Sequence, residues 1–224
     1  MVRFFRYLLA AVGTVFYWEG YAEQPDSLPP RTLYYIGTFG SVASNGLTPF
    51  GIVNGRYGKV PLKANNGYLC TAVYHRQQIG RNFRWDAGMQ WIASTSRYRN
   101  VYLQELYAEL SYKDRFHLSI GSREGRNDGY NQSLRDRQLS SGDLVLSSNA
   151  RPIPEINLYA PRFLNIPGTS GWLQAKGNFA VGRSFDTDYL ESFRAAKQTY
   201  VRNVLWHHKS IYLQIQDLQG DFPV

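Results

Sequence analysis

The stretch from Val101 to Glu124 constrains the fold most, because it holds two runs of alternating apolar and polar side chains. In the first run, Gln104 is an exception on an apolar face that otherwise holds Tyr102, Leu106, Ala108, Leu110 and Tyr112. In the second run, the apolar face holds Phe116, Leu118 and Ile120. Successive side chains of a strand point to opposite faces, so each run predicts a β-strand. The short polar link Lys113-Asp114-Arg115 predicts that the two strands form an antiparallel hairpin.

The opposite face of this hairpin is polar and carries Glu105, Glu109, His117 and Arg123. The apolar face has tyrosines at both ends of its first strand, Tyr102 and Tyr112. Apolar side chains outward, polar ones inward and aromatics at the two interfaces are typical of a transmembrane barrel strand. We therefore expect the four polar residues to face a barrel lumen.

The composition favours the same class of protein. Charged residues make up 19% of the chain and aromatics 15%, with 17 tyrosines, which is unusual for a soluble enzyme and ordinary for an outer-membrane barrel. The net charge of +8 is scattered without a nucleic-acid-binding module, so no nucleic acid partner is expected. The single cysteine, Cys70, excludes an intrachain disulfide.

The N-terminus has the features of a secretory signal peptide. Arg3 and Arg6 supply positive charge, an apolar core follows from Leu8 to Trp18, and small residues precede a cleavage site after Ala22. We expect residues 1–22 to be removed on export. Residues 23–224 then form a partial barrel domain in the outer membrane of a Gram-negative cell.

Alternation and turn residues along the chain predict nine strands in all. Strands four and five are the hairpin described above, and the others are about Thr32–Ala43, Gly67–Ile79, Phe83–Ser96, Asp143–Ser148, Glu155–Phe163, Gly171–Gly182 and Ser210–Gln216. Helical spacing of apolar residues predicts a helix within Phe185–His208. The fold class is therefore all-β, the front half of an antiparallel outer-membrane barrel with a short periplasmic helical segment.

Connection lengths suggest which side of the membrane each loop lies on. If strand one runs outward, the long connections 44–66 and 125–142 are extracellular. The links at 80–82, 113–115 and 149–154 are then periplasmic, as is the long helical connection before strand nine.

Four segments resemble the capsule assembly Wzi family in its Bacteroidetes branch, as its N-terminal portion. They are PFGIVNGRYG (49–58), LYAELSYKDRFHLSIGSRE (106–124), LSSGDLVLSSNARPIPEI (139–156) and WHHKSIYLQI (206–215). The resemblance implies a barrel of about 18 strands with periplasmic helices. It also implies a non-enzymatic role in attaching or organising capsular polysaccharide at the cell surface, with outer-membrane lipid as the other partner.

No catalytic set, metal site or cofactor site is predicted. Glu105 and Glu109 share a face, and paired carboxylates can hydrolyse glycosides, but solvated lumen charges with basic neighbours account for them better. His207 and His208 are adjacent on a strand and so point to opposite faces, which prevents shared chelation of one ion. The turn at Asn149–Pro154 is interpreted as a rigid turn whose arginine binds neighbouring carbonyls, with a binding motif as the alternative.

Aromatic and basic residues of the outer loops are the predicted polysaccharide contacts: Arg56, Tyr57, Arg126, Tyr130, Arg135 and Arg137. Aromatic faces stack on sugar rings, and arginine pairs bidentately with uronate carboxylates. Two other functions stay open. A general porin or transporter barrel would need an open polar channel, and a soluble extracellular β-sandwich would need no membrane.

Overall fold

The computed structural model describes residues 31–42, 46–95, 100–124, 150–185 and 202–215. These residues form eight β-strands and one short helix, α1 (Phe50–Val53). The strands are β1 (Arg31–Ser41), β2 (Asn66–Ile79), β3 (Phe83–Ser94), β4 (Val101–Tyr112), β5 (Phe116–Ser122), β6 (Glu155–Asn165), β7 (Leu173–Arg183) and β8 (Leu205–Ile215). The all-β prediction is confirmed. No helix among these residues is long and apolar enough to cross a membrane.

All eight strands belong to one antiparallel sheet in which sequence neighbours are spatial neighbours. The hairpin predicted within Val101–Glu124 is confirmed as β4 and β5, with Tyr112 opposite Phe116 and a three-residue turn between them. Lys113 and Asp114 in that turn both adopt a positive φ of 51°, the backbone twist that joins antiparallel strands tightly. Within the described sheet, β1 and β8 are the two edges.

Two details of the predicted strand list are corrected. β5 pairs directly with β6, so the segment Asp143–Ser148 does not lie between them as a strand of this sheet. Its own residues, like 186–201 of the predicted helix, lie outside the described part of the chain. The last strand begins at Leu205 instead of Ser210, because Trp206 to Lys209 already alternate and pair with β7.

This pairing changes which connections share an end of the sheet. The connections 42–65, 95–100, 123–154 and 184–204 leave and return at one end, which we name the long-connection end. The short turns 80–82, 113–115 and 166–172 lie at the other, the short-turn end. The predictions that 149–154 lies with the short turns, and that the connection before the last strand does too, were wrong. Placing 143–148 between β5 and β6 reversed the predicted direction of every later strand.

The two faces of the sheet are the reverse of those in a soluble protein. On β5, Leu118 and Ile120 are 49% and 58% exposed, whereas Ser119 is 1% exposed and Asn157 opposite it on β6 is also 1% exposed. The same alternation runs through β3, β4 and β7. Apolar side chains therefore lie on the accessible face, and polar side chains lie on the buried one beside a small apolar cluster of Cys70, Ile92 and Tyr102.

Glycines let large rings lie flat on the buried face. The rings of Tyr74 and Tyr107 cover Gly88 from the two neighbouring strands, where any Cβ would collide with them. Trp206 covers Gly182 in the same way. Aromatic side chains placed over glycine backbone are a known means of fixing register in curved sheets.

Candidate functional site: a buried polar network and the strap that covers it

A β-bulge in β4 shapes the buried face. Gln90 pairs with Glu105 and Trp91 with Leu103, so Gln104 is an extra residue that β3 does not match. A bulge re-aims the side chains beside it. Tyr102, Gln104 and Glu105 are all buried as a result. The prediction that Tyr102 lies on the apolar face was wrong, because the bulge at Gln104 shifts the alternation, while Tyr112 does lie on that face.

Glu109 is the centre of the network on β4, β5 and β6. Its Oε1 accepts a hydrogen bond from His117 Nδ1 at 2.8 Å, and its Oε2 accepts from Tyr159 Oη at 2.9 Å. Arg123 Nη1 lies 3.4 Å from the same Oε2, with its guanidinium 4.4 Å from the centre of the Tyr107 ring. One carboxylate thus links three strands, and each of its oxygens is satisfied within the protein.

Glu105 has a separate set of partners. Tyr74 Oη donates to its Oε2 at 2.6 Å, and the backbone N–H of Glu124 donates to its Oε1 at 2.6 Å. Gln90 in turn donates to Tyr74 Oη at 3.2 Å. The hydrogen bonds of Glu105 therefore join β2 to the residue two positions beyond β5, and Gln90 connects β3 to them through Tyr74.

A third carboxylate, Asp86, is neutralised by two arginines. Arg76 Nε lies 2.5 Å from its Oδ1 and Arg84 Nε lies 3.0 Å from its Oδ2. Arg84 also contacts Asp114 in the hairpin turn. A buried charge is tolerated when it is paired and hydrogen-bonded, so this pairing removes most of the penalty of burying Asp86.

A segment that we name the strap, residues 46–64, lies over the buried face at the long-connection end. Gln104 Nε2 donates to the carbonyl oxygen of Tyr57 at 2.9 Å and to Glu124 Oε1 at 2.9 Å. Lys59 Nζ forms an ion pair of 2.8 Å with Glu124 Oε2. The residue displaced by the bulge is therefore the one that binds the strap.

The strap is also tied to the start of β2. Asn66 Nδ2 donates to Thr48 Oγ1 at 2.7 Å and to the carbonyl oxygen of Lys63 at 2.6 Å. Thr48 Oγ1 donates to the carbonyl oxygen of Pro61 at 2.9 Å. Val60 and Ala64 are buried. The two ends of the strap are thus held together at its base, and its middle is held by β4 and Glu124.

Burial raises the pKa of the Glu124 carboxyl above its ordinary value, although Lys59 and Gln104 pull in the other direction. Burial has the largest effect on this pKa, and the nearby charge of Glu105 also raises it.

Arg151 fixes the connection that precedes β6. Its Nη2 donates to the carbonyl oxygen of Leu103 at 2.8 Å, and its guanidinium lies 4.5 Å from the centre of the Tyr102 ring. The sequence predicted that this arginine binds carbonyls, but neighbouring ones, and the carbonyl it contacts is 48 residues away. The carbonyl belongs to β4, far away in the sequence.

The residues proposed to contact polysaccharide are only partly described. Arg56 is exposed on the strap, and Tyr57 beside it is half-buried with φ 53° and with Lys59 Nζ 6.0 Å from its ring centre. Arg126, Tyr130, Arg135 and Arg137 lie outside the described residues. Glu105, Glu109, His117 and Arg123 all lie on the polar face, as the alternation predicted.

Several residues of the network were not identified from the sequence: Tyr74, Gln104, Glu124, Lys59, Asn66 and Tyr159. Gln104 could have been found, because it was the one polar residue on an apolar face. His207 and His208 lie on opposite faces of β8, and no described group of His, Cys, Asp and Glu could hold a metal ion.

The exposed apolar face has a shallow depression of about 430 Å³. It lies over β3 to β6, and the side chains around it are mainly apolar, among them Trp85, Leu110, Leu118 and Ile156. Glu109 and Ser119 also line the depression, so it adjoins the centre of the polar network. Comparisons with protein families, with curated proteins and with solved structures gave no match.

Proposed function

We propose that this chain is an outer-membrane β-barrel protein, exported with a cleaved signal peptide, that takes part in assembling or attaching capsular polysaccharide at the cell surface. The observation that carries the membrane part is the reversal of the two faces. Leucine, isoleucine and phenylalanine side chains cover the accessible face of the sheet, while ionised groups are buried. Water would penalise such a face by about 25 cal/mol for each Å² of apolar surface, and lipid would not.

The two ends of the sheet support the same proposal. Long connections at one end and short turns at the other are typical of barrels whose short turns face the periplasm. Exposed aromatic side chains lie near the short-turn end on the apolar face, at Phe83, Tyr112 and Phe116. An aromatic band at one limit of an apolar zone is what a membrane interface favours.

The capsule part rests on the resemblance to the Wzi family and on where its segments lie. The segment 49–58 forms the middle of the strap, and 106–124 forms the hairpin together with Glu124. The segment 139–156 contains Arg151, which binds β4. Three of the four segments that carry the resemblance therefore contribute to one surface, where the strap exposes Arg56 at the long-connection end.

Capsule at the cell surface is the direct test of this function. Deleting the gene should remove surface capsule, detected with a capsule stain and in shed polysaccharide, and the full-length gene should restore it. A second complementation with Arg56→Ala and Tyr57→Ala should restore less capsule than the wild-type gene at equal outer-membrane abundance. Undiminished capsule in the deletion strain would contradict the proposal.

An open porin is the second candidate, because the buried face is lined by charges as a channel wall would be. The strap argues against it, since it occupies the space beside Gln104 and Glu124 that solutes would need. We expect no steady conductance in planar bilayers. Replacing residues 49–58 with a short Gly-Ser linker should raise the conductance. A wild-type protein whose conductance equals that of this variant would favour the porin.

A further inference from the structure

The two short turns that flank β3 and β4 bring three basic side chains together. The backbone N–H of Lys113 donates to the carbonyl oxygen of Asn82 at 2.6 Å, so the turns 80–82 and 113–115 lie side by side. Arg81, Lys113 and Arg115 are all exposed there. The acidic residue of these turns, Asp114, contacts the guanidinium of Arg84. The local charge presented to solvent is therefore positive.

Exposed aromatic rings lie directly beside these bases. Phe83 pairs with Tyr112 across β3 and β4, with ring centres 5.1 Å apart. Phe116 follows the hairpin turn on the same face, and all three rings are exposed. Lys113 Nζ lies 5.3 Å from the centre of the Tyr112 ring. We name these six residues the turn patch: Arg81, Phe83, Tyr112, Lys113, Arg115 and Phe116.

The order of side chains along the strands matches the order of layers in a lipid leaflet. Leu110 and Leu118 are exposed on the apolar face, the aromatic rings come next toward the turns, and the bases come last. Acyl chains, the interfacial region and phosphate headgroups follow one another in the same sequence. Basic residues within a Debye length of anionic headgroups are attracted to them.

We infer that the turn patch binds the phosphate headgroup of an anionic phospholipid, in the leaflet that faces the short-turn end. This inference rests on the proposed membrane embedding and adds a lipid preference to it. Because short turns face the periplasm in such barrels, the lipid is a phospholipid of the inner leaflet. Phosphate would accept hydrogen bonds from Arg81 and Arg115, while the rings hold the adjacent acyl chain.

Spin-labelled lipids test the inference with the full chain reconstituted in phosphatidylcholine vesicles. The electron paramagnetic resonance spectrum separates lipid held at the protein from bulk lipid, so phosphatidylglycerol and phosphatidylcholine probes give relative affinities. We expect the wild type to prefer phosphatidylglycerol by roughly fivefold, the effect of about one basic contact. The preference should fall in 0.5 M salt, because the attraction is screened.

The variant R81Q/K113Q/R115Q should lose the preference, with a ratio of phosphatidylglycerol affinity to phosphatidylcholine affinity of about 1. A matched control, K63Q/R183Q/R202Q, removes three exposed bases from the long-connection end and should leave it unchanged. An unchanged preference in the turn-patch variant would overturn the inference while leaving membrane embedding intact. Absence of any held lipid for both probes would instead contradict the embedding itself. Unlabelled lipid A displacing the probe more strongly than phosphatidylglycerol does would overturn the choice of lipid.

Discussion

Gln104 and Tyr57 are joined by a hydrogen bond of 2.9 Å between the side-chain amide of one and the backbone carbonyl of the other. The bulge in β4 places the side chain of Gln104 on the buried face of the sheet. Tyr57 lies in the middle of the strap. The same amide donates to Glu124, which binds Lys59 of the strap. A local irregularity of one strand thus positions a long connection over the polar face.

The Lys59–Glu124 pair should contribute measurably to stability. Its side chains are 15% and 17% exposed, so the charge-assisted hydrogen bond is poorly screened. A double-mutant cycle with K59M, E124Q and both together should give a coupling free energy of about 2 kcal/mol in denaturant unfolding. The same cycle with K63M should give a coupling near zero, because Lys63 is exposed on the same strap. Equal coupling free energies in both cycles would show that the Lys59–Glu124 ion pair makes no specific contribution to stability.

Sequence alternation predicted the strands well because the period of two is a local signal. The side chains of β3, β5 and β7 lie on the faces expected from it. It failed at Tyr102, where one extra residue shifts the pattern, and it placed the segment 143–148 between two strands that pair directly with each other. Alternation identifies a strand but not its neighbour, so a segment such as 143–148 could not be excluded from the sheet. The strap contacts join residues as far apart as Tyr57 and Gln104, which no local pattern encodes.

Glu124 should make stability depend on pH in a defined direction. Burial raises its pKa in the folded state, so the folded protein binds a proton at this carboxyl more tightly than the unfolded chain does. Protonation of Glu124 therefore stabilises the fold. That contribution is complete below the pKa of an unfolded glutamate, about 4.3, and is lost as the pH rises through the folded-state pKa. The difference in unfolding free energy between the wild type and E124Q should therefore decrease from pH 4 upward. A difference that grows with pH would mean that Lys59 outweighs burial.

Gly121 should not tolerate a side chain. Its φ is +109°, and a Cβ there would collide with the carbonyl oxygen of Leu106 on the paired strand. G121A should cost more than about 3 kcal/mol of unfolding free energy or prevent folding. Gly40 is the matched control, because the nearest heavy atom to its Cβ is 3.9 Å away and its φ is not positive. G40A should change stability by less than about 1 kcal/mol.

Charge on the apolar face should be penalised according to depth in the membrane. In vesicles, L118R should cost about 2–4 kcal/mol of unfolding free energy, while F116R, two residues nearer the turn, should cost about 0–1 kcal/mol. Both positions are about half exposed, so a protein surrounded by water would tolerate both within about 0.5 kcal/mol. Equal, small costs at the two positions would indicate water on this face.

The most direct measurement of the central claim is spin-label accessibility along β5 in reconstituted vesicles. Single cysteines from residue 116 to residue 120 are labelled in a C70A background, since Cys70 is the chain's single cysteine and is buried. We expect labels at 118 and 120 to collide with oxygen, which concentrates in lipid, and not with a water-soluble nickel chelate, while the label at 116, near the turn, collides with both. Labels at 117 and 119 should avoid the lipid phase. Free collision of the nickel chelate with labels at 118 and 120 would contradict the account.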